Sequence, residues 1–126
     1  LLGFSLELGA MLAGANEEEQ LKIRAFGENI GIGFQLKDDL LDVYGNPDKF
    51  GKQVGGDIVA NKKTYLLLEA IAQAKDDTKT QLVYWLDKKD FEMTEKVKAV
   101  TEIYNTLGIR EKTEQKIEYF FNLAFK

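Results

Sequence analysis

The chain is predicted to be all-α, and three observations carry that prediction. A single proline stands in 126 residues. Apolar residues recur three and four positions apart, as at Val97, Val100, Ile103, Tyr104 and Leu107, the spacing that lines one helix face. Start and stop signals cut the chain into segments of helical length: Gly14, Asn16 with Glu19, Gly45-Asn46-Pro47 and Gly108.

The first helix takes residues 1–14, rich in Leu, Ala and Gly, where Gly3, Gly9 and Ala13 allow close approach of another helix and Gly14 is the stop. Asn16 followed by Glu19 is a capping-box pattern that opens a long second helix to about residue 45. Gly45-Asn46-Pro47 ends it, because the residue before a proline is pushed out of helical geometry. Residues 46–61 read as irregular, with Gly51, Gly55 and Gly56 beside Lys49 and Lys52. At about 15 residues this stretch is longer than most connections, and such loops commonly carry function. A third helix runs from about Lys62 to Ala74 and a fourth from Asp77 to Asp87. Thr94 with Glu95 opens a fifth, which Gly108 closes, and residues 109–126 supply a sixth through Ile109, Ile117, Phe120, Phe121 and Ala124. Tyr84, Trp85, Phe91, Tyr104, Phe120 and Phe121 are assigned to the core by their spacing. No internal repeat is visible.

Composition limits the chemistry. With 44% hydrophobic and 30% charged residues the chain suits one helical globular core, and a net charge of −4 gives no basic surface for nucleic acid or an anionic membrane. Cysteine and histidine are absent, which removes disulfides, the thiol nucleophile, the usual general base and the usual ligands of zinc, copper and haem. A cytoplasmic location is expected. The apolar run Leu1 to Ala15 contains Glu7, has no basic leader, and is shorter than the ~20 residues of a bilayer span. The chain starts in mid-pattern and stops inside an amphipathic run. It is expected to be truncated at both ends.

The chemistry concentrates in residues 31–42, Gly-Ile-Gly-Phe-Gln-Leu-Lys-Asp-Asp-Leu-Leu-Asp. At roughly 100° per residue, Gly31, Gln35, Asp38 and Asp42 share one helix face, with Asp39 at its margin. Like charges one turn apart cost on the order of 0.2–0.5 kcal/mol per pair. Flanked by Leu36, Leu40, Leu41 and Val43, these acids suit a hard cation with oxygen ligands, magnesium first. A solvated helix face is the bland alternative. Leu40 rules out an EF-hand loop, because an oxygen ligand is needed there. The Gly-x-Gly at 31–33 has no preceding strand, so a dinucleotide fingerprint does not apply. Lys62 and Lys63 fall at a helix start, where the macrodipole disfavours cations and a bound polyanion would explain them. Lysines reaching into water are the competing reading, and Lys52 is equally ambiguous alone. Phe34 is either core or a ligand contact.

Taken together, Gly-Phe-Gln-Leu-Lys-Asp-Asp-Leu-Leu-Asp, Gly51-Lys52, Gly56-Asp57 and Asn61-Lys62 resemble the second aspartate-rich region of the trans-isoprenyl diphosphate synthases, the farnesyl and geranylgeranyl diphosphate synthase relatives. The match is dense over residues 27–66. The resemblance implies antiparallel helices around a deep cavity (the isoprenoid synthase fold), usually as a homodimer, with this chain a C-terminal portion of a single domain. It implies magnesium-assisted ionisation of an allylic diphosphate, attack by isopentenyl diphosphate and loss of a proton. By position, Asp38 would ligate one magnesium, and Asp39 and Asp42 would hold its waters or position isopentenyl diphosphate. Lys52 and Lys62 would meet the allylic diphosphate, and Phe34 and Gln35 would line the allylic pocket. The family's first aspartate-rich motif, a Lys-Thr pair before Leu1 and the basic clusters for isopentenyl diphosphate are not in this sequence. These residues alone are therefore expected to be inactive. A class I terpene cyclase and a non-catalytic helical module are the rival readings. The Gly51-Lys52 and Asn61-Lys62 spacing favours the synthase over the cyclase.

Overall fold

The fold, known from a computed structural model, is described over residues 1–45 and 54–125, and among these all regular structure is helical. In chain order the helices are α1 (Leu2–Leu12), α2 (Glu17–Tyr44), α3 (Gly56–Val59), α4 (Tyr65–Gln73), α5 (Asp76–Asp87), α6 (Met93–Thr106) and α7 (Ile109–Ala124). They form two compact units, Leu1–Lys37 with Glu114–Lys126, and Asp38–Thr113.

In the first unit the expected capping box is made. Asn16 donates its amide to Glu19 Oε2 at 3.0 Å, and Glu19 donates its own to Asn16 Oδ1 at 2.9 Å. Two orphan donors at the start of a long helix are thereby satisfied. α1 lies against α2 at Gly3, where an added Cβ would stand 2.5 Å from Glu28 Cγ and 2.9 Å from the Arg24 carbonyl oxygen. Gly27 is the reciprocal notch, its Cβ position 2.8 Å from Gly3 Cα. Gly9, also expected to serve close approach, meets nothing within 4 Å among the described residues. Arg24 reinforces the crossing, bonding Glu7 on α1 at 3.1 Å and Glu28 on its own helix at 3.0 Å. Farther along, the Phe121 ring of α7 packs onto Gly33.

The second unit holds most of the core: Leu40, Val43, Ile58, Leu66, Leu67, Ala70, Leu82, Val100, Ile103, Tyr104 and Ile109 are buried. Its centre is α6, which packs against α3, α4 and α5. Several expectations are corrected here. Residues 56–59, read as irregular, form the short helix α3. The third predicted helix begins at Tyr65 rather than Lys62, because Thr64 is the cap and its Oγ1 accepts the Leu67 amide at 3.2 Å. Lys62 and Lys63 thus precede the helix instead of opening it. Glu92 and not Thr94 caps α6, accepting the Glu95 amide at 2.9 Å. Of the six aromatics assigned to the core, Tyr104 is buried, and Trp85, Phe91, Phe120 and Phe121 are half-buried. Tyr84 is 54% exposed, and its hydroxyl accepts from Lys88 Nζ at 2.9 Å. No helix among the described residues is long and apolar enough to cross a membrane.

Candidate active site

The C-terminal end of α2 belongs to the Asp38–Thr113 unit, and Tyr44 ties it to α6 by donating its hydroxyl to Asn105 Oδ1 at 2.8 Å. Leu40 and Val43 bury their side chains there, so the helix cannot turn its acids freely. The three aspartates meet different environments. Asp38 is exposed, Asp42 is half-buried, and Asp39 is the most enclosed at 7% exposure.

Asp42 builds the turn that faces it. Its carbonyl accepts the Gly55 amide at 2.6 Å, and its Oδ2 accepts the Asp57 amide at 2.9 Å. The side chain therefore satisfies a donor that the short helix α3 leaves unpaired, as an N-cap would from within the segment. Gly55 has φ +93°, a left-handed conformation that costs a side-chain-bearing residue about 1–3 kcal/mol. A Cβ there would also stand 2.6 Å from both methyl carbons of Val97.

The turn presents Asp57, and Asp57 with Asp39 receives Lys62. The Lys62 ammonium is 3.5 Å from Asp39 Oδ1 and 3.8 Å from Asp57 Oδ2. Its affinity for its proton is raised, chiefly by Asp57 and next by Asp39, with a smaller push from Asp42. The cationic lysine thus stands beside a carboxylate wall. Its side chain remains 51% exposed, open to an incoming anion. At those distances and that exposure the ion pairs are loose, and they add little to stability.

Among the described residues, no group of three or more carboxylates stands ready to enclose a metal ion. The donor set still fits magnesium. That ion is held by one or two carboxylates, waters and substrate phosphate oxygens rather than by an all-protein cage. Asp38 is the exposed carboxylate, and Asp39 and Asp57 converge on one cation.

Residues 1–104 match the family model for polyprenyl synthetase. The chain belongs to the polyprenyl synthetase family. This polyprenyl synthetase chain is 38% identical over 103 residues to the short chain isoprenyl diphosphate synthase of Methanocaldococcus jannaschii, covering 82% of the chain and 31% of that protein. Among solved structures it is similar to a geranylgeranyl pyrophosphate synthase with a TM-score of 0.88 and 40% identity, over 98% of the chain and 38% of that protein. It is also similar to the geranylgeranyl pyrophosphate synthase of Corynebacterium glutamicum complexed with isoprenyl diphosphate and magnesium (TM-score 0.80, 32% identity, 93% of the chain and 33% of that protein). The chain spans about a third of the length of these relatives.

Of the residues that the motif pointed to in this polyprenyl synthetase chain, Asp39, Asp42 and Lys62 come together in one unit with Asp38 on the same helix end. Phe34, 61% exposed and so not core, and exposed Gln35 lie on the part of α2 that belongs to the other unit. Lys52 lies outside the described residues. Two participants carry no sequence-assigned role. In the sequence Asp57 stands out only as part of Gly56-Asp57. Lys96 holds the turn before Lys62, and its one visible signal is that it shares the i, i+4, i+7 stripe of Val100 and Ile103, where a lysine does not belong.

Proposed function

We propose that these residues are the C-terminal portion of a trans-prenyltransferase that condenses an allylic diphosphate with isopentenyl diphosphate. The observation that carries this reading is the Lys62 ammonium suspended between Asp39 and Asp57, on a turn anchored by Asp42. A cation on a carboxylate wall is an arrangement for a divalent metal and a polyanion together. It gives the metal oxygen ligands and the anion a positive partner.

In this reading Asp38 holds magnesium, and Asp39 and Asp42 hold its waters or position isopentenyl diphosphate. Magnesium, when bound, supplies neutralisation of the diphosphate oxygens as they leave. Lys62 adds a positive charge on the same leaving group, and Lys52 is a second cation for it. Phe34 and Gln35 line the path of the allylic chain. The bond from the allylic carbon to the diphosphate oxygen breaks, and its electron pair departs on pyrophosphate. The double bond of isopentenyl diphosphate then forms a carbon–carbon bond to that allylic carbon. Loss of a proton from the resulting tertiary cation regenerates a double bond. Asp42 also fixes the turn that carries Asp57, whose carboxylate stands 3.8 Å from the Lys62 ammonium. The chain alone is inactive, because the rest of the carboxylate and basic machinery lies elsewhere in a complete synthase. A cytoplasmic homodimer is part of the same reading, supported by the family resemblance and the absence of cysteine.

Ligand-dependent stabilisation of the complete protein tests this. Magnesium chloride and inorganic pyrophosphate together, at 100 times Kd, should stabilise it by roughly 2.7 kcal/mol, and neither alone should do so. An unchanged melting temperature with both present would favour the non-catalytic helical module.

A further inference from the structure

Lys96 is the one buried lysine among the described residues, at 1% exposure. From α6 its ammonium donates to Asn61 Oδ1 at 2.6 Å and to the Val59 carbonyl at 3.4 Å, and it lies 4.3 Å from the centre of the Phe91 ring. These partners are two neutral oxygens and a ring face. Burial accordingly pushes the Lys96 ammonium below the ordinary lysine range. Enclosing a charge this way is costly, and an apolar side chain of similar volume would often serve stability as well.

What the lysine holds explains its placement. Asn61 has φ +53°, the left-handed region that asparagine tolerates better than most residues. Its carboxamide is gripped at both ends, since Oδ1 accepts from Lys96 and Nδ2 donates to the Leu86 carbonyl at 3.0 Å. Lys62 follows directly. Its backbone is fixed on either side, the amide donating to the Asp57 carbonyl at 2.9 Å and the carbonyl accepting from Thr64 at 2.8 Å. Among the described residues, the Lys62 ammonium makes only the long ion-pair contacts of 3.5 and 3.8 Å. The backbone turn therefore sets the point from which that ammonium is presented.

We infer that Lys96 is a positioning residue for Lys62. By clamping Asn61 in the left-handed turn, it fixes the Lys62 ammonium against Asp39 and Asp57 and so sets the affinity of the site for a diphosphate group. This rests on the reading of Lys62 as a diphosphate ligand. Lys96 lies enclosed beneath the turn and touches no substrate itself.

Calorimetric titration of the complete protein with inorganic pyrophosphate in magnesium chloride tests the inference through a double-mutant cycle. Lys62→Ala should weaken pyrophosphate binding about tenfold, as loss of a charge-assisted hydrogen bond does. Lys96→Met keeps the straight apolar stem, removes the donor, and should weaken binding several-fold. In the double variant the effects should not multiply, and binding should be no weaker than in Lys62→Ala alone. A lysine that served only stability would give independent, multiplying effects or none, and either result would overturn the inference while leaving Lys62 in the site. Wild-type affinity in Lys62→Ala would instead overturn the reading of Lys62, and the inference with it. Should Lys96→Met fail to fold, Asn61→Gly runs the same cycle, since glycine accepts the left-handed backbone and deletes the clamped carboxamide.

Discussion

Replacing Asp38 by alanine in the complete protein is expected to lower kcat by about 10²-fold or more, equivalent to roughly 2.7 kcal/mol of lost transition-state stabilisation. The expectation follows from where the side chain stands. Asp38 is exposed at the end of a helix whose neighbouring Leu40 and Val43 are buried, so the helix keeps its register when the carboxylate is removed. Stability should change by less than about 0.5 kcal/mol, the usual range for surface substitutions. The two readouts thus separate: the fold stays and the rate falls. Asp38→Asn should be nearly as impaired, because a neutral carboxamide has the shape of the ligand but not its charge. Steady-state kinetics with both diphosphate substrates and magnesium decide the matter, and a wild-type rate would remove Asp38 from the site.

The largest stability effect is expected at Gly55. Gly55→Ala places a methyl group 2.6 Å from both Val97 methyl carbons while holding a left-handed backbone at φ +93°. Strain and overpacking at about 1–3 kcal/mol each give a loss of about 2–6 kcal/mol, read from the urea unfolding midpoint. The consequence reaches the site. Gly55 donates to the Asp42 carbonyl, and the same turn brings the Asp57 amide to Asp42 Oδ2. A displaced turn moves Asp57 away from Lys62, so the variant that folds should also bind magnesium pyrophosphate more weakly. Stability within about 0.5 kcal/mol of the unsubstituted protein would mean that Val97 and the turn relax freely.

What the sequence made legible was local in origin. The capping box at Asn16 and Glu19 involves residues three apart, so the start of α2 could be read and was met almost to the residue. The stripe of α6 likewise declared itself through Val100, Ile103 and Tyr104. The helix α3 could not be read, because what ends its irregular stretch is an acceptor supplied by Asp42, fifteen positions earlier in the chain. The start of α4 was misplaced for a related reason. Lys62 and Lys63 sit beside good helix formers, but the turn through Asn61 and the Thr64 cap keep them outside the helix.

The site was legible as a set of residue types and not as a set of contacts. Three aspartates on one helix end announced a cation, yet the structure gives each its own surroundings: one exposed, one against Lys62, one holding a backbone amide. Asp57 escaped a role because a lone acid after two glycines has no spacing to betray it. Lys96 was visible as a polar intruder on an apolar stripe, but its partner Asn61 lies 35 positions away. Tyr84 shows the opposite failure, where helical spacing suggested core and the ring stands mostly in solvent.

Whether the complete protein is a prenyltransferase is decided by product analysis, with magnesium and an allylic diphosphate in the presence and absence of isopentenyl diphosphate. The expected product is a prenyl diphosphate lengthened by one isoprene unit that forms only when isopentenyl diphosphate is supplied. A cyclised hydrocarbon made from the allylic diphosphate alone, or no conversion under either condition, would contradict the prenyltransferase reading.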